Sequence, residues 1–184
     1  RSIDRSEGDV HPKGNPHYNL DPLNGKIMAR NIAEGLSRNY PQHRAVFEKN
    51  LSAYLAELDK AIERWQAMAA PLKGVKIVTY HVEWSYFANR YGLQQVGTIE
   101  LKPGIEPTPN HLIALTQKMQ QEKARLIIFG PQSDRYPRQL ASQTGATIVR
   151  LQSIAGGSPE TDSYIKFVDF NVRSLVAALK KINP

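Results

Sequence analysis

The chain has 184 residues, enough for one large domain or for one and a half smaller ones. It contains no cysteine, so disulfides and thiolate metal sites are excluded, and any bound metal must be held by imidazole and oxygen ligands. The net charge of +7 suggests nucleic-acid binding, but the lysines and arginines are scattered along the chain instead of clustered, and we expect no nucleic-acid partner. No stretch approaches the ~18 apolar residues that a membrane span requires.

The first third of the sequence predicts a polar loop followed by two helices. Asp21 and Pro22 are typical of an N-cap and a first helical position, and the apolar spacing that follows predicts a helix to about residue 38. A second helix is predicted over residues 42–69 by one apolar stripe, formed by Phe47, Leu51, Tyr54, Leu58, Ile62 and Trp65. It would span ~40 Å, which is longer than a small domain is wide and favours a brace between two lobes.

After Gly74 the pattern changes to alternating strands and helices. Strands are predicted at 75–80, 95–101, 125–129 and 147–151, and helices at 83–91, 108–123, 133–144 and 161–180. This alternation is typical of an α/β fold with a parallel four-stranded sheet flanked by helices. The chain is therefore divided into a loop and helix at 1–41, a long helix at 42–70 and an α/β lobe at 71–184. The long polar approach to the first helix also suggests that the chain begins within a longer protein.

Three of the five histidines are candidate ligands. His81 follows the predicted strand 75–80 directly, and ligands of open α/β sheets bind at the carboxyl ends of strands. A histidine that caps the next helix or bonds locally is an equally good interpretation of that position. His17 and His11 lie in a loop stiffened by two prolines, which suits either a preorganised metal ligand or a plain surface turn. The remaining two, His43 and His111, are predicted to be exposed.

Carboxylate partners for these histidines must come from other loops. Asp162 lies in a glycine-rich loop before the last helix, where Thr161 can serve as the cap in its place. Glu106 lies in a second, proline-rich loop. No nucleophile elbow, phosphate-binding loop or HExxH motif is present, so no catalytic residue is assigned. The pattern indicates a metal site assembled by folding, and whether such a site catalyses a reaction depends on an open coordination position.

Four segments, at residues 15–24, 79–93, 104–109 and 161–172, carry motifs that are in register over nearly the whole chain. Together they resemble the TroA-like group of solute-binding proteins that serve zinc and manganese ABC importers. Residues 15–24 resemble the group's HxWLDP-type segment, although Asn19 stands where an aromatic residue is usual. The other three are its second histidine motif, its EPSP-type turn and its C-terminal aspartate segment, at residues 79–93, 104–109 and 161–172.

The resemblance implies two α/β lobes joined by one rigid helix, with a metal bound in the cleft between them. It implies that His17, His81 and Asp162 are metal ligands, with His11 and Glu106 as auxiliary candidates. Residues 1–41 would then be the end of an N-terminal lobe, most of which this chain lacks. The implied function is capture of a divalent metal and its delivery to an ABC importer permease, in the bacterial periplasm or at the cell surface. Membrane contact is expected only through the permease or a lipid anchor.

A histidine at position 81 favours Zn²⁺ as the bound ion, with Mn²⁺ as the alternative, because imidazole suits borderline ions and carboxylate suits hard ones. Two other functions use the same sequence features. One is a metal-dependent hydrolase with the same ligands, and the other is a surface adhesion protein of the same family. We expect a transport protein and not an enzyme.

Overall fold

A computed structural model describes residues 14–102 and 105–182. Within these residues the chain forms six α-helices: α1 (Pro22–Asn39), α2 (Arg44–Met68), α3 (Ser85–Tyr91), α4 (Pro109–Glu122), α5 (Arg135–Thr144) and α6 (Tyr164–Ile182). The four strands are β1 (Lys76–Thr79), β2 (Gln94–Thr98), β3 (Leu126–Phe129) and β4 (Thr147–Arg150). None of the helices in the described part of the chain is long and apolar enough to cross a bilayer.

All four strands are parallel, in the order β2-β1-β3-β4. The chain moves outward from β1 to β2 and then crosses back to β3 on the other side of β1. The order therefore reverses between β1 and β3, and this reversal opens a crevice at their carboxyl ends. The sequence predicts this parallel α/β sheet correctly.

The core lies on both faces of the sheet because side chains alternate along each strand. Ile77, Leu126 and Ile128 face a cluster with α2, α3 and α6. Val78 and Ile127 face a second cluster with α4 and α5. The long helix α2 is confirmed, but only its second half is covered by this core, where Leu58 and Trp65 are fully buried.

The second half of α2 is fixed to α6 through one carboxylate. Asp169 accepts a hydrogen bond from the Trp65 indole at 2.9 Å and pairs with Arg64 and Arg173 at 3.2 and 2.6 Å. Charge-assisted hydrogen bonds of this kind are stronger than neutral ones, and they depend on the relative orientation of the two helices more than apolar packing does. The long helix is thus attached to the lobe at its C-terminal end.

Two predicted elements differ from the structure by three residues at one end. β2 ends at Thr98 and not at Leu101, although Ile99 and Glu100 still donate backbone hydrogen bonds to Thr79 and Tyr80. The last helix begins at Tyr164 and not at Thr161. A separate 3-10 turn precedes it because Ser158 and Thr161 cap that turn between themselves.

The contact between Gly25 and Tyr164 gives a test of how α1 packs on the lobe. A Cβ atom at Gly25 would lie 2.6 Å from the Tyr164 ring, whereas one at Gly35, on the same helix, would meet nothing within 4 Å. We expect Gly25→Ala to lower the free energy of unfolding by about 1–3 kcal/mol through overpacking. The matched control Gly35→Ala should raise it by about 0.5–1 kcal/mol through helix propensity. Urea unfolding measures both, and shifts of the same sign would contradict this packing.

Candidate metal centre

His81 lies at the carboxyl end of β1, beside the crevice between β1 and β3. The strand ends at Thr79, and a 3-10 turn, Val82–Trp84, begins directly after the histidine. Its backbone is extended, its side chain does not cap the turn, and only 9% of the residue is exposed. The alternative interpretation as a helix cap is therefore wrong, and the position at the strand end is confirmed.

His17 begins a short 3-10 turn, His17–Leu20, directly before α1. The turn is anchored at its end, where Leu20 is buried in the core and Asp21 caps α1 by accepting a hydrogen bond from the Leu23 amide at 2.9 Å. Asn19 donates to the Ser153 carbonyl at 2.9 Å, and the Tyr164 hydroxyl donates to the Asn19 carbonyl at 2.8 Å. The turn that carries His17 is thus held against the lobe that carries His81.

The two rings meet although the residues lie far apart in sequence. The His17 and His81 ring centroids are 5.7 Å apart and the rings are inclined at 80°. This spacing matters because a tetrahedral zinc ion takes imidazole nitrogens at ~2.0–2.1 Å and so places its ligating rings close to one another. Of the three ligands that the sequence predicts, the structure brings these two together.

Asn15 fixes the hydrogen-bonding state of the His17 ring. The Asn15 Oδ1 atom accepts from the His17 backbone amide at 2.9 Å, which identifies it as the oxygen, and its Nδ2 atom donates to the Val82 carbonyl at 3.4 Å. The His17 Nδ1 atom also lies 2.9 Å from Asn15 Oδ1. Since an amide oxygen only accepts, Nδ1 must carry the proton. In the neutral ring the coordinating lone pair is then on Nε2.

Glu100 fixes the hydrogen-bonding state of the His81 ring. The His81 Nδ1 atom lies 3.0 Å from Glu100 Oε2, and the side chains are 11% and 12% exposed. The carboxylate accepts a hydrogen bond from the Nδ1–H group, so Nε2 again carries the lone pair in the neutral ring. Metal-binding histidines usually donate their second ring nitrogen to a carboxylate or carbonyl in this way. Both rings therefore have the tautomer that suits coordination through Nε2.

An ion pair joins the chain segments that carry the two histidines. Arg90, on α3, donates through Nε and Nη2 to the two carboxylate oxygens of Asp21, both at 2.7 Å. Asp21 follows the His17 turn, and α3 follows His81. We expect Arg90→Lys to lower the free energy of unfolding by about 1–2 kcal/mol, because lysine cannot form the two-pronged contact.

The control is Arg38→Lys, at an exposed pair in which Arg38 and Glu34 are 3.8 Å apart. That change should cost less than about 0.5 kcal/mol. Thermal unfolding of both variants measures the difference. Equal shifts in the melting temperature would show that the two hydrogen bonds from Arg90 to Asp21 add nothing to stability.

Asp162 is not brought into this pair. It is exposed and forms an ion pair with Lys166, whose Nζ lies 2.9 Å from Oδ1 and 3.0 Å from Oδ2. It does not cap the last helix, and neither does Thr161, because the Lys166 amide donates to the Ser163 hydroxyl instead. Over residues 14–102 and 105–182, no three His, Asp or Glu side chains are grouped closely enough to hold a metal ion. The assignment of Asp162 as a ligand stays a prediction.

The other candidates have different surroundings. Glu106 is exposed, lies 3.9 Å from Arg135 and accepts a hydrogen bond from Tyr136, which together with burial raises the pKa of Tyr136. His11 lies outside the described residues. His43 is exposed as predicted, whereas His111 is half-buried with its Nε2 2.9 Å from the Thr98 carbonyl. The prediction of an exposed His111 is wrong, because α4 packs it against β2.

Sequence reasoning misses the polar residues around the two histidines. Asn15 and Glu100 orient the rings, and Glu83 is 4% exposed, with burial raising its pKa. In the structure Glu100 follows β2 by two residues just as His81 follows β1, but the strand predicted at 95–101 includes Glu100 and so gives no such signal. The signal for Asn15 is its place two residues before His17, which is typical of a side chain that bonds to the local backbone.

Comparison with known proteins identifies the family. The model of the ZnuA family, described as zinc-uptake complex component A, periplasmic, matches residues 2–178. The high-affinity zinc uptake system protein ZnuA of Brucella abortus is 34% identical over 116 residues, which cover 63% of this chain and 35% of that protein. The manganese ABC transporter substrate-binding lipoprotein PsaA of Streptococcus pneumoniae is 30% identical over 175 residues, 92% of this chain and 57% of that one.

A solved structure agrees with these sequence matches. The crystal structure of ZnuA superposes with a TM-score of 0.79 and 26% identity, covering 96% of this chain and 68% of that one. Fold and motifs place the chain in the class of metal-binding solute-binding proteins of ABC transporters. Within that class, the chain belongs to the ZnuA family. It spans 35% and 57% of the lengths of the two curated relatives above.

Proposed function

We propose that the protein captures Zn²⁺ as a transport substrate, through a site that includes His17 and His81, and delivers it to an ABC importer permease outside the cytoplasm. The observation that carries this proposal is the meeting of the two rings, 5.7 Å apart, each with an oxygen acceptor on Nδ1. Two imidazoles that present Nε2 toward one ion form half of a tetrahedral zinc site. The functions named for the two relatives, zinc uptake and manganese transport, agree with a divalent cation as substrate.

Asp162 is our candidate for a third ligand. The loop that precedes it is tied to the His17 turn, because Asn19 donates to Ser153 and Tyr164 donates to Asn19. Its carboxylate is held by Lys166 in an exposed ion pair, which is a weak contact of about 0.5 kcal/mol or less. Exchange of that ammonium for a divalent ion therefore costs little. One further donor, from outside the described residues, would complete four-coordination.

Capture and release follow from this arrangement. Ligands on separate segments converge when the ion enters, and α2, 25 residues long and ~37 Å, restricts the movement to a small shift of one lobe against the other. Docking on the permease would separate the segments and release the ion. Zinc is favoured over manganese because both of the side chains that meet are imidazoles. The site has a transport role and no catalytic one in this proposal.

The test is calorimetric titration of the protein with Zn²⁺ and with Mn²⁺, in the presence of a competing chelator. We expect one ion per chain, tighter binding of Zn²⁺, and an affinity for Zn²⁺ that falls about 100-fold or more in His17→Ala. His43→Ala, at an exposed histidine, is the matched control and should bind as the unmodified protein does. Equal affinity in the His17 and His43 variants would refute the proposed site.

A further inference from the structure

We propose that Glu100 is a positioning residue of the metal site, which holds the His81 ring in the Nδ1-protonated tautomer and aims its Nε2 atom at the ion. This inference rests on the proposed function, in which His81 is a ligand. Neither the matched motifs nor the sequence pattern assigns a role to Glu100. The proposed role acts through the His81 ring and does not require Glu100 to contact the metal.

The backbone places Glu100 beside His81 without help from either side chain. Beyond the end of β2, the Ile99 amide donates to the Thr79 carbonyl at 2.9 Å and the Glu100 amide donates to the Tyr80 carbonyl at 2.8 Å. These bonds continue the pairing of β2 with β1 up to the residue before His81. The sheet thus fixes the spacing of the two residues, and a substitution of the Glu100 side chain leaves that spacing in place.

The environment makes the side-chain contact a strong one. The His81 Nδ1 atom and the Glu100 Oε2 atom are 3.0 Å apart, and both side chains are nearly covered, at 11% and 12% exposure. A hydrogen bond to a carboxylate is about twice as strong as one between neutral groups, and shielding from water strengthens it further. The ring is therefore restricted in rotation as well as in tautomer.

The contact also distinguishes the two histidines. The His17 ring donates to a neutral amide, that of Asn15, whereas the His81 ring donates to a carboxylate. The negative charge increases electron density on the imidazole and makes His81 the better donor to a cation. Loss of such an outer partner typically costs 10- to 100-fold in metal affinity. We expect a loss of that order, about 10- to 100-fold, in Glu100→Ala.

The experiment compares Glu100→Ala and Glu100→Gln with the control Glu122→Ala, at a surface carboxylate paired with Lys76. Zinc affinity should fall in the alanine variant, fall less in the glutamine variant, which keeps an oxygen acceptor, and stay unchanged in the control. Long-range ¹H–¹⁵N spectra of the zinc-free protein should show Nδ1-protonated His81 in the unmodified protein and in Glu100→Gln. Glu100→Ala should show a mixture of tautomers. A purely structural role would not change the tautomer selectively.

Three outcomes overturn the inference: unchanged zinc affinity in Glu100→Ala, Nε2-protonated His81 in the unmodified protein, or zinc-edge absorption showing that Glu100 itself coordinates the ion. Failure of the proposed function looks different, since the unmodified protein would then bind no zinc, or would bind it equally well without His81. If removal of His81 abolishes binding while Glu100→Ala changes nothing, the metal site stands and only the role of Glu100 is refuted.

Discussion

Replacement of His81 by alanine is expected to weaken Zn²⁺ binding by about 100- to 1,000-fold. Structural zinc sites with four ligands bind with about 10–16 kcal/mol, so each ligand contributes roughly 2.5–4 kcal/mol, and every 1.4 kcal/mol is about a factor of ten. Chelator competition measures the affinity. No comparable effect is expected from His43→Ala, because that ring is exposed and packs against Phe47.

The His81 experiment needs a control for folding because His81 is buried. Its replacement by alanine also removes the ring N–H group that donates a hydrogen bond to the Glu100 carboxylate. A buried carboxylate that loses a donor destabilises the protein by about 1–3 kcal/mol. His81→Gln supplies an amide in place of the ring N–H and should unfold closer to the unmodified protein, while still losing zinc affinity. A variant that folds normally and binds zinc with unchanged affinity would exclude His81 as a ligand.

Asp162→Ala is the second change with a large expected effect. We expect zinc affinity to fall by about 100-fold or more, because this change also removes one proposed ligand. In this variant we expect a large effect on zinc binding and only a small effect on folding. Asp162 is exposed, and removal of its pair with Lys166 should change the free energy of unfolding by less than about 0.5 kcal/mol. The variant should therefore melt as the unmodified protein does and yet bind zinc poorly.

The matched control is Glu160→Ala, because Glu160 is an exposed carboxylate in the neighbouring 3-10 turn. It removes the same charge from the same loop, so a general electrostatic effect on Zn²⁺ would appear equally in both variants. If Asp162→Ala and Glu160→Ala bind zinc alike, Asp162 is not a ligand. The histidine pair would remain a candidate site with a different carboxylate.

Much of the fold follows from the sequence because its signals are local and periodic. The apolar stripe of α2, the strand 125–129 and the cap of α1 by Asp21 each depend on neighbouring residues, and the structure has all three. The position of His81 also follows, because the rule that ligands bind at strand ends needs only the strand and its direction. These features require no knowledge of which strands are neighbours.

The surroundings of the site could not be predicted in this way. The contact of Glu100 with His81 depends on the pairing of β2 with β1, whose register shifts between Ile77 and Val78. A shift of one residue would turn Glu100 to the other face of the sheet. Contacts that depend on strand register are therefore the part of the site that a single sequence leaves undetermined.

The most direct test of the central claim is anomalous X-ray diffraction at the zinc edge from crystals of the zinc-loaded protein. We predict one strong peak at ~2.0–2.1 Å from the Nε2 atoms of both His17 and His81, with their Nδ1 atoms still facing Asn15 and Glu100. A zinc ion bound elsewhere, or bound through Nδ1 of either ring, would contradict the account.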